Sequence, residues 1–375
     1  MSGAASDGKR SPFGIALAPS FDPSVVSLTP SRVLNIFGER KDQRFFNFIL
    51  FALSAASGVC LRTLISVNIS ESSSFWYTVA PTLAANLVGS FLLGALLVFQ
   101  ATGKSRYDFA LQTAFCGSLT TYGGYMNDSL RMFIIPSGNV FADSFFNGVF
   151  SLVACILFCL TVGFRFGRSA AKVFVKWETR TGQKSFRISV LYPSIIFGPI
   201  AAGIIVLLVS ASSSDWVLPS SEISYVYACL LGIPGAYLRA ILSVLLNNAS
   251  DPYIRTPFLG TMVANIVGSF ITAVCLSAIK YRFNGDSAIL SALDAGFAGA
   301  LSTMSTYIKE IDLLIEKKRN KGSTKFSIKV ESAPQGDAEQ RWAMERSPTF
   351  YILATTLISA GIAMIGWVVG GWTVV

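Results

Sequence analysis

The sequence contains no histidine and only 21 acidic residues among 375. Histidine is the commonest neutral-pH base and metal ligand, so its absence argues against an enzyme or a metal transporter. The acidic residues fall in predicted loops or near the ends of apolar stretches, where Asp108, Asp128 and Asp294 come nearest to the interior. Because a buried carboxylate repels anions and often marks proton coupling, this distribution favours a passive route for an anion.

Charged residues make up only 14% of the chain, whereas hydrophobic residues make up 52% and the mean hydropathy is +0.55. Such a chain has too few polar side chains to solvate a globule of this length, so a lipid bilayer is the predicted solvent. Residues 1–43 lack an apolar run long enough for a signal peptide and are predicted to form a disordered cytosolic tail. The six cysteines lie in apolar stretches and are predicted to be core residues.

Nine stretches are long enough to cross the hydrocarbon as helices, which takes about 20 residues. Positive residues accumulate on the cytoplasmic side of a membrane. With the N-terminus inside and the C-terminus outside, 25 of the 30 basic residues lie in cytoplasmic segments. The net charge of +9 therefore reflects loops that face an anionic leaflet and not nucleic-acid binding. The predicted spans are 45–67, 78–100, 109–134, 141–166, 189–211, 223–246, 256–279, 288–314 and 349–371.

The apolar region contains an internal repeat. Three motifs occur twice in the same order, at offsets between 177 and 182 residues. They are G-V-C-L-R at 58–62 and G-A-Y-L-R at 235–239, A-N-L-V-G-S-F at 85–91 and A-N-I-V-G-S-F at 264–270, and A-F-C-G-S-L-T-T-Y at 114–122 and G-F-A-G-A-L-S-T-M at 296–304. This spacing indicates two copies of one helical unit.

Each unit contains four predicted spans, and one further span between them inverts the second unit. Inverted repeats are typical of transport proteins, whose ion path lies near the midplane at the repeat interface. The predicted fold is therefore an all-α polytopic membrane protein of two inverted four-helix repeats. Its predicted segments are the tail (1–43), the first repeat (44–167), a basic cytosolic loop (168–188), a linker span (189–211) and the second repeat (212–375), with a polar cytosolic loop near 317–347.

Two kinds of polar residue stand inside the predicted spans. Asn86 and Asn265 occupy corresponding mid-span positions, each flanked four residues away by hydroxyls: Thr82 and Ser90 in the first unit, Thr261 and Ser269 in the second. These polar stripes could join helices or line a wet path, and their repetition favours the path. Arg62 and Arg239 lie toward helix ends, where they could reach the membrane surface or form positive vestibules that concentrate anions.

The third span of each unit is rich in glycine and hydroxyl residues, at 117–124 and 299–306. These runs predict a helix break at the bilayer centre, where freed carbonyls from both units form a site for a small hard cation. Aromatic residues follow each break: Tyr122 and Tyr125, then Tyr307 beside Met304. Aromatic ring edges are electropositive and can replace part of the hydration of a small anion, although ordinary packing is the alternative.

These motifs resemble the Fluc (CrcB) fluoride channels of bacteria and their two-domain eukaryotic relatives, the fluoride exporters (FEX). The resemblance covers roughly 45–166 and 223–371 and rests on G-x-x-x-R, N-x-x-G-S-F and G-x-L-T-T-aromatic, each present twice. It implies a dual-topology dimer fused into one chain, with a structural Na⁺ held by backbone carbonyls and no organic cofactor. The implied sodium ligands are Gly117, Thr120, Gly299 and Ser302.

The resemblance also implies pore residues, some of which depart from the family pattern. Three of the four expected pore phenylalanines are tyrosine, and the fourth is Met304, which has no ring edge. We hypothesise one working pore that uses Tyr122 and Tyr307, and a vestigial path that would need Met304. The remaining implied pore residues are Asn86, Asn265, Ser90, Ser269, Arg62, Arg239, Thr121, Thr303 and Tyr125, with a weakly matched polar track at Asn147 and Ser151 or Thr355 and Ser359.

The predicted function is passive, fluoride-selective export across the plasma membrane by a multi-pass monomer. Fluoride enters cells as a neutral acid and ionises, and a negative-inside potential drives it outward by about 2.3 kcal/mol per 100 mV. A coupled secondary anion transporter of inverted-repeat architecture is the alternative, which the rate of flux distinguishes. A non-transporting scaffold is a second alternative.

Overall fold

The computed structural model describes residues 41–69, 75–102, 107–134, 141–181, 190–213, 220–247, 258–284, 287–324 and 347–371, together with Phe37 and Ser105. Helices form nearly all of this part of the chain, as expected where the backbone must satisfy its hydrogen bonds without water. The all-α prediction is confirmed. The predicted tail up to residue 36 and most of the predicted polar loop, from 325 to 346, lie outside the described residues.

The first unit begins with two long helices, α1 (Lys41–Ile69) and α2 (Phe75–Thr102). The third predicted span is divided into α3 (107–119) and α4 (Tyr122–Ile134). Helix α5 (141–181) runs through a π-helical segment, Cys159–Arg165, and continues well beyond the predicted end at residue 166. At about 1.5 Å per residue, α5 is roughly twice as long as the hydrocarbon is thick.

The second unit follows a connecting helix, α6 (Tyr192–Ser213). It contains α7 (Ser220–Leu246), α8 (Leu259–Tyr281), α9 (288–301), α10 (Met304–Thr324) and α11 (Pro348–Gly370). The order of elements therefore repeats that of the first unit, with α9 and α10 corresponding to α3 and α4.

Within the described residues, seven helices are long and apolar enough to cross a membrane, two fewer than predicted. One predicted span is lost because the break divides it into α3 and α4, which are each too short. The predicted linker span is represented by a shorter apolar stretch, Tyr192–Ile205. The assignment to a polytopic membrane protein is confirmed, whereas nine spans and the N-inside orientation remain predictions.

The second and fourth spans pack together in the same way in both units. Gly167 of α5 lies against the Phe91 carbonyl of α2, and Gly366 of α11 lies against the Phe270 carbonyl of α8. A Cβ atom at either glycine would overlap the neighbouring helix. Since the two phenylalanines occupy the same place in the repeated motif, these contacts are equivalent.

The first spans of the two units, α1 and α7, meet in a cluster of mainly small apolar residues. Small residues allow the backbones of two helices to approach closely in a membrane. Helix α6 packs on α1, where Ser57 Oγ donates to the Ile195 carbonyl at 3.3 Å. The buried residues of this cluster on α1 and α7 include Phe51, Ala55, Val59, Ala236 and Ala240.

Both third spans break where the sequence predicts. Thr120 has φ −96° and ψ 148°, and Ser302 has φ −83° and ψ 148°, so each is extended between two helices. Just before each break the helix widens into a π-helical segment, Ala110–Phe115 in α3 and Leu293–Ala298 in α9. The breaks lie at equivalent positions, 182 residues apart.

Candidate ion pathway

Hydroxyl groups cap the helices after the two breaks, and one cap on each helix comes from the opposite unit. Ser302 Oγ accepts a hydrogen bond from the Gly123 N–H at 3.0 Å, at the start of α4. Thr120 Oγ1 accepts one from the Ser305 N–H at 3.2 Å, at the start of α10. Such caps satisfy N-terminal amides that the helix itself leaves free. Each unit therefore completes the break of the other.

The two mid-span asparagines hold the breaks of their own units. Asn86 Oδ1 accepts from the Thr121 N–H at 2.8 Å, and its Nδ2 donates to the Thr121 carbonyl at 3.0 Å. Asn265 makes the same pair of bonds to Thr303, at 2.8 and 3.3 Å. Both asparagines are fully buried. The amides are thus satisfied by the extended backbone beside each break, which explains how they are tolerated at this depth.

Arg62 and Arg239 bridge the two units. Arg239 Nη2 donates to the Thr113 carbonyl at 2.5 Å, and Arg62 Nη2 donates to the equivalent carbonyl of Ala295. Both carbonyls lie in the π-helical segments, whose altered hydrogen-bond pattern makes them available. The arginines are only 5% and 2% exposed, so they are buried bridges and not the open vestibule groups suggested by the sequence.

Aromatic rings from both units meet beside the breaks. The rings of Tyr122 and Tyr307 have centroids 5.2 Å apart and an interplanar angle of 72°, so one presents its edge to the other. Tyr125 stands 5.8 Å from Tyr122, and Tyr351 stands 5.3 Å from Tyr307. All four rings are buried, as is the Met304 side chain. The structure thus brings together the two tyrosines of the hypothesised working path.

The fourth spans can be aligned through two equivalent hydrogen bonds. Tyr125 Oη donates to the Leu152 carbonyl of α5, and Tyr307 Oη donates to the Ile352 carbonyl of α11 at 3.4 Å. Leu152 and Ile352 therefore correspond, at an offset of 200 residues. In this register the counterparts of Thr355 and Ser359 are Cys155 and Cys159.

This register corrects the predicted polar track of the first unit. Ser151 corresponds to Tyr351, one turn away from the expected position, and its hydroxyl is bonded to Ser129 Oγ at 2.9 Å. Asn147 is half-buried and lies a further turn away. Between the track and the equivalent glycine contact, α5 has one residue more than α11, and its π-helical segment lies there. No repeated motif of the sequence falls on the fourth spans, so the sequence alone could not align them.

The two fourth spans differ in what they offer an anion. The Thr355 and Ser359 hydroxyls are buried and have no hydrogen-bond partner among the described residues. They lie beside Tyr307 and Tyr122 respectively, and Tyr122 Oη donates to Thr356 Oγ1 at 3.3 Å. In the first unit, the Cys155 and Cys159 sulfur atoms contact each other at 4.0 Å. A hydroxyl donates a much stronger hydrogen bond than a thiol.

The serines that flank the asparagines also differ. Ser269 Oγ donates to the Asn265 carbonyl at 2.8 Å within its own helix, whereas Ser90 Oγ has no partner among the described residues. Ser90 lies against Gly163 of α5, where a Cβ atom would crowd it. Both serines are buried at helix contacts: Ser90 lies between α2 and α5, whereas the Ser269 carbonyl accepts a hydrogen bond from Asn127 Nδ2 of α4 at 3.0 Å.

A buried carboxylate was missed by the sequence analysis, which placed every acidic residue in loops or near span ends. Glu310 of α10 is only 4% exposed. Its carboxylate accepts hydrogen bonds from Thr261 Oγ1 at 2.6 Å and Tyr351 Oη at 2.7 Å. The equivalent Asp128 accepts from Thr82 Oγ1 at 2.6 Å. The hydroxyls four residues before each asparagine were the available signal, since they are the partners of these carboxylates.

The residues at the breaks fit a hard cation. Within the described residues there is no group of three or more His, Cys, Asp or Glu side chains that could hold a metal, so the donors here are carbonyl and hydroxyl oxygens. Such oxygens suit hard cations. The C-termini of α3 and α9 add partial negative charge, which offsets part of the positive charge of the guanidinium groups beside Gly117 and Gly299.

The fold and the site together define a class of protein: a membrane protein of two reciprocal units, whose broken helices, buried amides and aromatic rings meet at one interface. The sequence profile of one family, described as "CrcB-like protein, Camphor Resistance (CrcB)", matches residues 49–164 and again 226–367. These two matches cover more than half of the chain. The protein belongs to the CrcB family and contains two copies of its domain.

Individual relatives support this assignment. The chain is 31% identical to fluoride-specific ion channel FluC 1 of Staphylococcus aureus (strain Mu50) over 91 residues, which are 24% of this chain and 58% of the relative. It is 26% identical to fluoride export protein 1 of Candida albicans over 224 residues, 54% of this chain and 53% of the relative. The chain thus spans little more than half the length of these relatives. No solved structure matches it.

Proposed function

We propose that this protein is a fluoride-selective channel that lets fluoride leave the cytoplasm passively. One observation carries the proposal: the Tyr122 and Tyr307 rings meet edge to face at 5.2 Å beside the Thr355 and Ser359 hydroxyls, which have no hydrogen-bond partner in the part of the chain that the structure describes. Ring edges and hydroxyl donors together replace the hydration of a small anion without a full positive charge that would trap it. The names of the bacterial and yeast relatives point to the same ion.

The proposed path lies where α4, α10 and α11 meet, so it combines residues of both units. Tyr122 comes from the first unit, whereas Tyr307, Thr355 and Ser359 come from the second. The equivalent path beside α5 has two cysteines in place of the hydroxyls, and Met304 in place of the first tyrosine. Because thioethers and thiols are weak hydrogen-bond partners for a hard anion, this second path is proposed to be vestigial.

A sodium ion at the breaks is part of the proposal. The backbone carbonyls of Gly117 and Thr120, with those of Gly299 and Ser302, would hold it. It would supply a positive charge that joins the two breaks and no redox or acid chemistry. The reciprocal capping by Thr120 and Ser302 supports this role, because it already draws the two breaks into contact.

The proposed setting is the plasma membrane, with the N-terminus inside and the C-terminus outside. The excess of basic residues in the segments assigned to the cytoplasm supports this orientation. A single chain suffices, since the two family domains already supply both halves of the interface. No catalytic step is proposed.

A coupled anion transporter is the second candidate function, because Glu310 is a buried carboxylate beside Tyr307 and Tyr351. Carboxylates at this depth often relay protons in transporters. The two candidates predict different rates. A flux above about 10⁶ ions per second exceeds what a conformational cycle on the microsecond-to-millisecond timescale allows.

The experiment is fluoride efflux from liposomes that contain the purified full-length protein, with chloride as the comparison ion. A channel gives rapid efflux of fluoride, little efflux of chloride, and a rate that follows the membrane potential. Efflux that is slow and requires a proton gradient would support the coupled transporter instead. Absence of fluoride efflux from well-folded protein would refute both.

A further inference from the structure

A cavity of about 370 Å³ lies between the far ends of α5 and α10, away from the proposed ion path. Four cationic side chains line it, together with two carboxylates, so its formal net charge is +2. Ser169 and Ile315 complete the lining. The cationic residues are Arg165, Arg168, Lys172 and Arg319, and the acidic residues are Asp312 and Glu316.

The carboxylates hold two of the cations in place. Asp312 is 3% exposed at its side chain, and its two oxygens accept from Arg165 Nε and Arg168 Nη1, both at 2.8 Å. Arg168 Nη1 also lies 2.8 Å from Glu316 Oε1. Both acidic residues are therefore already neutralised. Lys172 and Arg319 contribute their charge to the cavity without an ion-pair partner among the described residues.

The cavity lies at the depth of the lipid headgroups. Helix α10 starts at the break, for which the sequence predicts a position at the membrane centre, and it rises about 1.5 Å per residue. Asp312 is then about 12 Å and Arg319 about 22 Å from the midplane, whereas half the hydrocarbon thickness is about 15 Å. On the adjoining part of α5, Val173 and Trp177 are 70% and 46% exposed, and tryptophan is typical of the membrane interface.

We propose that this cavity binds the phosphate group of an anionic phospholipid in the cytoplasmic leaflet. Clustered arginine and lysine side chains suit a phosphate, because a guanidinium can donate to two phosphate oxygens and an ammonium adds a mobile charge. The cytoplasmic leaflet carries the anionic lipids, and each basic residue near its surface contributes about 1 kcal/mol, or roughly fivefold in affinity. The occupant joins α5 of the first unit to α10 of the second.

The test measures the thermal unfolding midpoint of the full-length protein in detergent, titrated with dioctanoyl phosphatidic acid, dioctanoyl phosphatidylcholine or inorganic phosphate. We expect phosphatidic acid to raise the midpoint and phosphatidylcholine to have little effect. The double variant Lys172→Gln, Arg319→Gln is expected to weaken the apparent affinity for phosphatidic acid about 30-fold, from two lost charges. Inorganic phosphate that stabilises as well as the lipid would overturn the lipid assignment.

Two further variants make the test specific. Ser169→Asp adds a negative charge to the cavity without removing a cation, and we expect it to weaken phosphatidic acid binding while the exposed position keeps the fold intact. Lys280→Gln is the matched control, since it removes a cation from the opposite end of the helices. Equal affinity in the control and the cavity variants would refute the site. The readout is independent of fluoride flux.

Discussion

In the second unit, the fourth span carries Thr355 and Ser359, whose hydroxyls have no hydrogen-bond partner among the described residues, whereas the first unit carries Cys155 and Cys159 in contact with each other. The contacts that hold the breaks, by contrast, are the same in both units: the asparagine bonds, the hydroxyl caps and the arginine bridges each occur twice. Each unit completes the other, so the joining contacts are needed twice. The proposed conducting path is needed once, and its lining residues differ between the two units.

The largest expected effect comes from the first aromatic residue after each break. Tyr122→Ala removes the ring whose edge meets Tyr307 and leaves a cavity in the proposed path. A loss of about 3 kcal/mol of ion stabilisation corresponds to a fluoride efflux roughly 100-fold slower. Met304→Ala, the equivalent change in the other path, is expected to leave efflux nearly unchanged. The measurement is fluoride efflux from liposomes, with protein folding checked by size-exclusion chromatography.

Equal losses from the Tyr122 and Met304 variants would show that both paths conduct or that neither residue lines a path. Normal efflux in both variants would reject the aromatic pair as part of the route.

The next effect concerns the hydroxyls of α11. Replacing Thr355 and Ser359 together by alanine removes two hydroxyl donors that have no hydrogen-bond partner among the described residues. Hydrogen bonds to a charged group contribute about 1.5 to 3 kcal/mol each, and we expect efflux to fall at least about 10-fold. The control replaces Cys155 and Cys159 by alanine and should conduct normally. A slower control with a normal α11 variant would reverse the assignment of the two paths.

The repeat, the breaks and the pairing of the two units could be predicted from the sequence because glycine, asparagine and hydroxyl residues recur there in order. The positions of Asn86 and Asn265 beside the breaks follow from that pattern. The hydrogen-bond partners of the two asparagines could not be predicted, since a mid-span amide can face either a wet path or a backbone carbonyl. The structure shows that both amides bind the extended backbone just after Thr120 and Ser302.

Two parts of the site required three-dimensional contacts. The register of α5 against α11 comes from the hydrogen bonds of Tyr125 and Tyr307 to the fourth spans, where no repeated motif of the sequence falls. The burial of Glu310 was not predicted because α10 starts at the buried break between the two units, so a residue near the end of a predicted span lies deep inside the protein. Likewise, the arginines near helix ends reach inward across the unit interface, where the sequence suggested the membrane surface or a vestibule.

A smaller effect is expected from restoring the second path. Met304→Tyr with Cys155→Thr and Cys159→Ser places in that path the residues of the working one. In a Tyr122→Ala background, we expect this triple change to raise fluoride efflux about 10-fold over the background. The reference variant carries Met304→Leu with both cysteines changed to alanine, which keeps the path apolar. If both sets of changes leave efflux at the background level, the second path is closed by something other than its lining.

The smallest expected effect separates the ring of Tyr122 from its hydroxyl. Tyr122→Phe keeps the ring edge beside Tyr307 and removes only the 3.3 Å hydrogen bond to Thr356 Oγ1, a long bond of modest strength. Since the proposal assigns the anion to the ring edge, fluoride efflux is expected to change by less than about 3-fold, which is under 1 kcal/mol. Tyr125→Phe, outside the working path, is the control and is expected to leave efflux unchanged. A loss as large as that of Tyr122→Ala would mean that the phenolic hydroxyl, and not the ring edge, contacts the ion. The two paths would then differ because Tyr122 has a hydrogen-bond donor that Met304 lacks.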